Sequence, residues 1–468
     1  MNPVNLKRID IIGLFIFSFV FTLCHLHKFF FWDTIIQISI PANWYFENNF
    51  NYFFLPDNIA TGHPPFVAMY IAFLWKIFKR SLIISHLAMF PFVFGIAFQS
   101  YKLISQFDIK RTHIFVILIF VLLDPTIISQ LSLITFDLVQ IFFFLWSINN
   151  MLTNKKLFLS ISFTGLLLSS LRGVISGIGL IVFAVIFCFL KKEKLKIKTF
   201  SPFIPGLVAI ACFLFNFYIH KHWIVHNTVS NSWSESAVHA NFSEAIRNMG
   251  ILIWRLIDFG RIGIWIMISY ILYKIIKTGS MFDNNFKILF FISITQLLVF
   301  LPITIIYKYP FAHRYLLPVI IPATIAAIYW LLKYAKYYKF IIPVIFICLI
   351  SGYFWIYPDK IAKGWDATPA HWHYYSLRKQ MITFLDHEKI DISQVGSAFP
   401  NLSEINNIDL NNDPRKFIVK DLQRCKYILY SNIFNDFTGV EIDELSSTWT
   451  PVKVLKCRGV YMILYKKP

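Results

Sequence analysis

Acidic residues are scarce in this chain: 25 Asp and Glu stand against 44 Lys and Arg in 468 residues. Charged residues of both signs make up 15%, well below the roughly 25% of soluble domains. That shortage excludes an ordinary water-soluble enzyme and a charged, disordered chain. Glycine is also sparse, at 17 residues. No glycine-rich phosphate loop, no nucleophile elbow and no Cys/His metal-ligand spacing occurs. A nucleotide-binding site, a serine-hydrolase site and a structural zinc are therefore not written in local motifs. No internal repeat and no inverted hydropathy repeat is visible. The first apolar run, Ile11 to Phe31, lacks a small-residue cleavage site, is too long for a signal-peptide core and is followed by more apolar runs, so it reads as an uncleaved helix.

What the chain has in abundance is apolar residues, at 57%, with 18% aromatic. Runs of about 17 or more recur up to residue 357, the pattern of a multispanning α-helical membrane protein. Beyond residue 357 lie 15 basic and 13 acidic residues. Nearly all of the +19 net charge thus belongs to residues 1–357, where it clusters in short loops. That is a positive-inside bias, not a nucleic-acid signal. The spans expected in order are 11–31, 82–103, 113–129, 137–152, 157–171, 174–190, 201–218, 251–276, 286–307, 315–332 and 340–356. Pro64 to Phe78 is too short for the roughly 30 Å core and is expected to lie along the membrane. Eleven spans put the N-terminus in the cytoplasm and residues 358–468 outside, as expected of a bacterial inner-membrane protein. Those last residues contain short β-rich runs, Lys426–Tyr430 and Val460–Tyr465, between Asn/Asp clusters. They read as a small extracytoplasmic α/β domain. Four of the six cysteines fall in apolar runs; Cys425 and Cys457 fall in this domain, where a disulfide is open.

The stretch from Trp32 to Pro65 is the most informative. It holds Asp33, Glu47, Asp57 and His63, many aromatics and a Gly-His-Pro-Pro turn. One reading is a site at the membrane surface; the other is a solvated loop with its aromatics in the headgroups. Further ionisable residues fall at outer span ends: Asp124, Asp137, Arg172, Asp258, His313 and Arg314. Near a membrane such groups are costly and are functional candidates. A carboxylate can serve as general base, and arginines grip phosphate bidentately. Arg172, His313 and Arg314 are accordingly candidates for binding an anionic carrier. Trp32, Trp44 and Tyr45 offer faces on which a sugar ring stacks. Each has a plainer alternative. Arg255, Asp258 and Arg261 are spaced for a helical salt-bridge ladder. Asp124 before Pro125 reads as a helix end, and His63 before two prolines as a turn residue.

Asp33 after the first span, GHPPF at 62–66, PTIISQLSLITFD at 125–137 and AHRYLLPVIIP at 312–322 together resemble C-type glycosyltransferases (GT-C). The branch resembled is that of the protein O-mannosyltransferases and aminoarabinose transferases, the family 39 type of bacterial homologue. The resemblance implies an enzyme that passes a hexosyl or pentosyl group from a polyprenyl-phosphate carrier to an extracytoplasmic glycan, lipid or protein. It implies Asp33 as catalytic base, His63 near the carrier phosphate, Asp137 as the second external carboxylate and Arg314 as the late basic position. It also implies that Pro64–Phe78 lies along the membrane. Thr34 and Gly62 stand where the family carries acids. The resemblance fixes no cofactor, and it leaves a divalent metal open. The rival readings are a polysaccharide polymerase, with its large loop late in the chain, and a lipid or polysaccharide transporter, with ionisable residues in mid-span and paired repeats.

Overall fold

The computed structural model describes residues 7–224, 238–278, 283–308, 312–361 and 364–468. Part of the polar loop expected after Tyr218, and part of the KYPFAHR loop, lie outside them. The first nine helices are α1 (Arg8–Leu23), α2 (Ile40–Glu47), α3 (Phe66–Ile77), α4 (Leu82–Ile104), α5 (Arg111–Leu122), α6 (Pro125–Leu131), α7 (Phe136–Leu152), α8 (Lys156–Ser169) and α9 (Leu171–Leu190). A short α10 (Ile197–Phe200) leads into α11 (Ile204–Lys221), followed by α12 (Phe242–Ile257), α13 (Ile262–Thr278), α14 (Asn284–Ile306), α15 (Leu317–Tyr334) and α16 (Tyr338–Ser351).

Helix α15 is the centre of the bundle. Every residue from Leu317 to Leu332 is buried, which explains why it is apolar all round rather than striped. It packs against α5 and α14, and α14 in turn against α9. The four-residue 3₁₀ turn His313–Leu316 starts it, so whatever this turn carries is held by a helix buried along nearly its whole length.

The protein is a polytopic α-helical membrane protein, but its spans depart from the expected series. Among the described residues, five helices are long and apolar enough to cross a membrane, or six if the bent pair α5–α6 is one span. The remaining apolar helices are shorter, such as α3 with 12 residues and α8 with 14. At about 1.5 Å per residue these reach only about 18–21 Å. Two runs expected to be single spans are broken. The run 113–129 bends by 71° between α5 and α6, because Pro125 restricts Asp124 and the Asp124 carboxylate caps α6, accepting from the backbone N–H groups of Thr126 (2.9 Å) and Ile127 (3.2 Å). The run 251–276 breaks between α12 and α13 at Phe259 (φ 51°) and Gly260 (φ 78°). A Cβ on Gly260 would stand 1.8 Å from the Cys348 carbonyl oxygen, so the turn needs glycine both for its φ and for space. Since α12 ends at Ile257, the expected Arg255–Asp258–Arg261 ladder does not form: Asp258 pairs with His313 and Arg261 with Asp124.

Residues 358–468 form a five-stranded sheet of order β2-β1-β3-β5-β4, from β1 (Val395–Ser397), β2 (Ile418–Val419), β3 (Tyr427–Ser431), β4 (Thr450–Cys457) and β5 (Val460–Lys466). Strands β1, β2 and β3 are parallel, and β5 is antiparallel to β3 and β4. Helices α17 (Trp372–His387), α18 (Ile405–Asp409) and α19 (Gly439–Thr448) complete the domain. Cys425 and Cys457, whose pairing the sequence left open, are both free. Cys425 lies just before β3, beside the end of β5, and Cys457 on β4 beside its start, too far apart for a bridge that needs Cα atoms within about 7 Å. The domain docks on the first loop and on the chain at either side of it. Phe30 donates its N–H to the Ile408 carbonyl (3.0 Å), Asn43 donates to Asn407 (3.0 Å) and Arg80 donates to the Asn406 side chain (2.9 Å).

Candidate active site

Asp33 leaves α1 through a strained step. Trp32 has φ 58°, a left-handed conformation that a bulky residue rarely adopts and that costs about 1–3 kcal/mol. Behind Asp33 the chain runs through a π-helical turn, Ile35–Ser39, into α2; such turns recur at functional sites. The docked C-terminal domain holds this irregular segment from outside, as Ser39 donates to the Asn407 carbonyl.

Four further segments converge on Asp33. Asp137 is the second residue of α7 and Arg172 the second of α9; Arg314 sits in the 3₁₀ turn before α15. Asp366 lies in a 3₁₀ turn, Trp365–Ala367, beyond the last apolar helix. Arg314 is the hub. Its guanidinium pairs with Asp33, with Asp366 and, at 2.9 Å, with Asp137. It also donates to the Tyr315 hydroxyl (3.0 Å). The other Asp137 oxygen accepts from Arg172 at 2.6 Å. Arg172 lies 3.9 Å from the Tyr315 ring centroid and 4.8 Å from that of Phe136, and reaches the Gln37 side chain at 3.4 Å. Three carboxylates thus share two guanidiniums. Asp33 is the most open, its side chain 21% exposed against 4% for Asp137 and Asp366.

His63 borders the cluster. Its Nδ1 accepts the Leu171 N–H (3.2 Å), which leaves Nε2 to carry the proton, and its ring meets Phe136 edge-on. Burial, and secondarily the charge of Arg172, pushes its pKa down to about 3. At neutral pH it therefore offers hydrogen bonding, not charge. His313 faces away from Arg314. It bonds Asp258 at 2.7 Å, in a second polar group where Arg261 grips Asp124 at 2.7 and 2.8 Å. The expected outer ring is thus two groups: Asp33, Asp137, Arg172 and Arg314 with His63 at the edge, and Asp124, Asp258, Arg261 and His313 beside it.

The aromatics expected to stack on sugar are largely covered. Trp32 is 8% exposed and packs on Phe31 and Phe399. Tyr45 is fully buried, its hydroxyl donating to the Phe53 carbonyl. Asp366 has no local motif to announce it. It is held by its backbone: its carbonyl accepts from Ser129 (2.5 Å) and Gln130 (2.7 Å) on α6, and its Oδ1 is buried without a hydrogen-bond partner. Among the described residues no three His, Cys, Asp or Glu side chains form a metal-binding group. The carboxylates of the cluster point at separate nitrogens of Arg314, so they do not fit a metal ion as arranged.

No protein-family model and no curated protein matches this sequence. A solved structure does. The crystal structure of ArnT from Cupriavidus metallidurans bound to undecaprenyl phosphate aligns over 98% of this chain and 98% of its own, with a TM-score of 0.53 and 10% sequence identity. At that identity the match speaks of architecture alone: this chain has the polytopic helical fold of that structure along its whole length.

Proposed function

We propose that the protein is a membrane glycosyltransferase that takes a sugar from a polyprenyl-phosphate carrier and passes it to an acceptor hydroxyl on the extracytoplasmic face of a bacterial inner membrane. The observation that carries this reading is the Asp33–Arg314 pair: a partly open carboxylate held by a buried guanidinium, in a chain that shares its fold end to end with a protein solved with undecaprenyl phosphate. The ionisable groups gather at helix starts, as a membrane-surface reaction requires, rather than in mid-helix as a transport path would.

In the geometry described, carboxylates saturate Arg314. Carrier phosphate takes the place of the most open of them, Asp33, and accepts the bidentate grip that guanidinium offers. Release from Arg314 turns Asp33 into a free base beside the sugar. The acceptor oxygen attacks the anomeric carbon and its proton goes to Asp33. The bond from that carbon to the phosphate oxygen breaks, and the phosphate leaves with the electron pair, steadied by Arg314 and Arg172. Asp137 holds both arginines in place.

The test is sugar transfer from a radiolabelled polyprenyl-phosphate donor in purified membranes. Asp33→Asn keeps the shape and removes the basicity, so turnover falls by about 10²–10⁴ while carrier binding holds or tightens, because the loss falls on the transition state and the amide no longer competes with phosphate for Arg314. A full rate in Asp33→Asn, with the loss appearing in Glu47→Gln instead, sinks the assignment.

A further inference from the structure

Helices α7 and α9 begin at the candidate active site, with Asp137 and Arg172, and both end at a second polar region. Their 17 and 20 residues span about 26–30 Å, roughly the thickness of a bilayer core. At that far end lies a cavity of about 320 Å³ between the α7–α8 turn, the end of α9 and the start of the α10–α11 segment. Its rim carries Lys156, Lys191, Lys196 and Lys198 against a single acid, Glu193, and its floor is apolar, with Leu159, Ala184 and Phe203. None of the four lysines is ion-paired to a carboxylate among the described residues. Beside the cavity, Leu157, Phe158, Phe189, Ile197 and Ile204 are exposed. In a membrane protein such residues face lipid.

We propose that this cavity is a binding site for an anionic phospholipid of the leaflet opposite the active site. Three features select that partner. The rim has an excess of three positive charges with no internal carboxylate to neutralise them, so it needs an anion. The cavity has the volume of a small-molecule site, enough for a glycerophosphate headgroup. Its apolar floor continues into lipid-facing side chains, so acyl chains leave the cavity directly into the bilayer, which a free phosphate does not require. Basic pockets between helices on the cytoplasmic side bind acidic headgroups in this way, and the positive-inside bias puts the same lysines on that side. Bound there, the lipid ties α7, α8, α9 and the α10 segment together at the end remote from the reaction.

The experiment uses the full chain, purified in mild detergent and offered phosphatidylglycerol or phosphatidylcholine, with lipid retention read by native mass spectrometry and the melting midpoint read in parallel. Phosphatidylglycerol is expected to be retained preferentially and to raise the melting midpoint. Replacing Lys156, Lys191, Lys196 and Lys198 with Gln is expected to reduce that preference roughly tenfold or more, given the contribution of each surface lysine to anionic-lipid attraction. The same four positions changed to Arg are expected to keep it. Replacing three lysines of the C-terminal domain, Lys379, Lys389 and Lys426, with Gln is expected to leave it unchanged. Equal retention of the two lipids overturns the proposal. So does an unchanged preference in the four-Gln protein, an equal loss in the control protein, or full competition by soluble glycerol phosphate.

Discussion

Asp366 is ion-paired to Arg314, which joins the segment leading into the C-terminal domain to the start of the central helix α15. The pair makes residues after 357 part of the charged cluster around Arg314, although composition divides the chain at that point. Removing one partner of a buried ion pair costs about 3–5 kcal/mol. Here Arg314 keeps Asp33 and Asp137, so Asp366→Asn is expected to cost less, about 1–3 kcal/mol, and to lower the melting midpoint in detergent. It is also expected to leave Arg314 freer for phosphate, so carrier binding holds or tightens. A variant with wild-type melting and lost carrier binding would place Asp366 in the carrier site instead.

Arg314→Ala takes from Asp33 and Asp366 the guanidinium they share and leaves Asp137 with Arg172, and it is expected to destabilise the protein and to abolish carrier binding. Arg314→Lys separates the two effects. It restores the charge, so most of the melting midpoint returns, but it lacks the planar fork, so carrier binding recovers only partly. Isothermal binding of polyprenyl phosphate to both variants measures this. Equal binding by Arg, Lys and Ala at position 314 would remove the residue from the phosphate site.

His63 carries a pH signature. Its pKa falls from the ordinary value near 6.5 to about 3 through burial and the charge of Arg172. A base with a depressed folded pKa binds its proton more readily when unfolded. Stability is therefore unaffected by His63 above about pH 6.5 and declines as pH falls from there toward 3. Melting at pH 7.5 and pH 5.0 should show a larger acid loss in the wild type than in His63→Gln. Other buried histidines, such as His371, lowered to about 3 mainly by burial, contribute equally to both proteins. Identical acid losses would mean that water reaches His63 freely.

Orientation is tested by single cysteines in a background without the six native ones. Lys194→Cys, beside the lysine-rimmed cavity, is expected to resist a membrane-impermeant label applied to intact cells, and Glu388→Cys, exposed just past the end of α17, to react. The reverse pattern would turn the whole bundle over and move the site to the cytoplasmic face.

The sequence by itself determined the class of molecule, because long apolar runs and a lopsided basic charge leave a helical membrane protein as the arrangement that satisfies the backbone in lipid. It also determined the small α/β domain, whose strands β3 and β5 lie within a residue or two of the KYILY and VYMILY runs. Asp33, Asp137, Arg172 and Arg314 were legible one by one, since ionisable groups beside apolar runs are costly and stand out. Their assembly was not. Nothing along the chain tells that Arg314 gathers carboxylates from residues 33, 137 and 366, or that Asp124 meets Arg261 and Asp258 meets His313. The helix breaks at Asp124–Pro125 and Phe259–Gly260 had weak local signals, and they redirected those pairs by ending the helical spacing that a salt-bridge ladder needs. Asp366 was invisible because its place depends on two backbone-held hydrogen bonds to α6 and on the docking of a distant segment. Local patterns record what each residue costs in lipid or water. Tertiary structure decided which charges meet, because a buried charge is tolerated only where the fold brings it a partner.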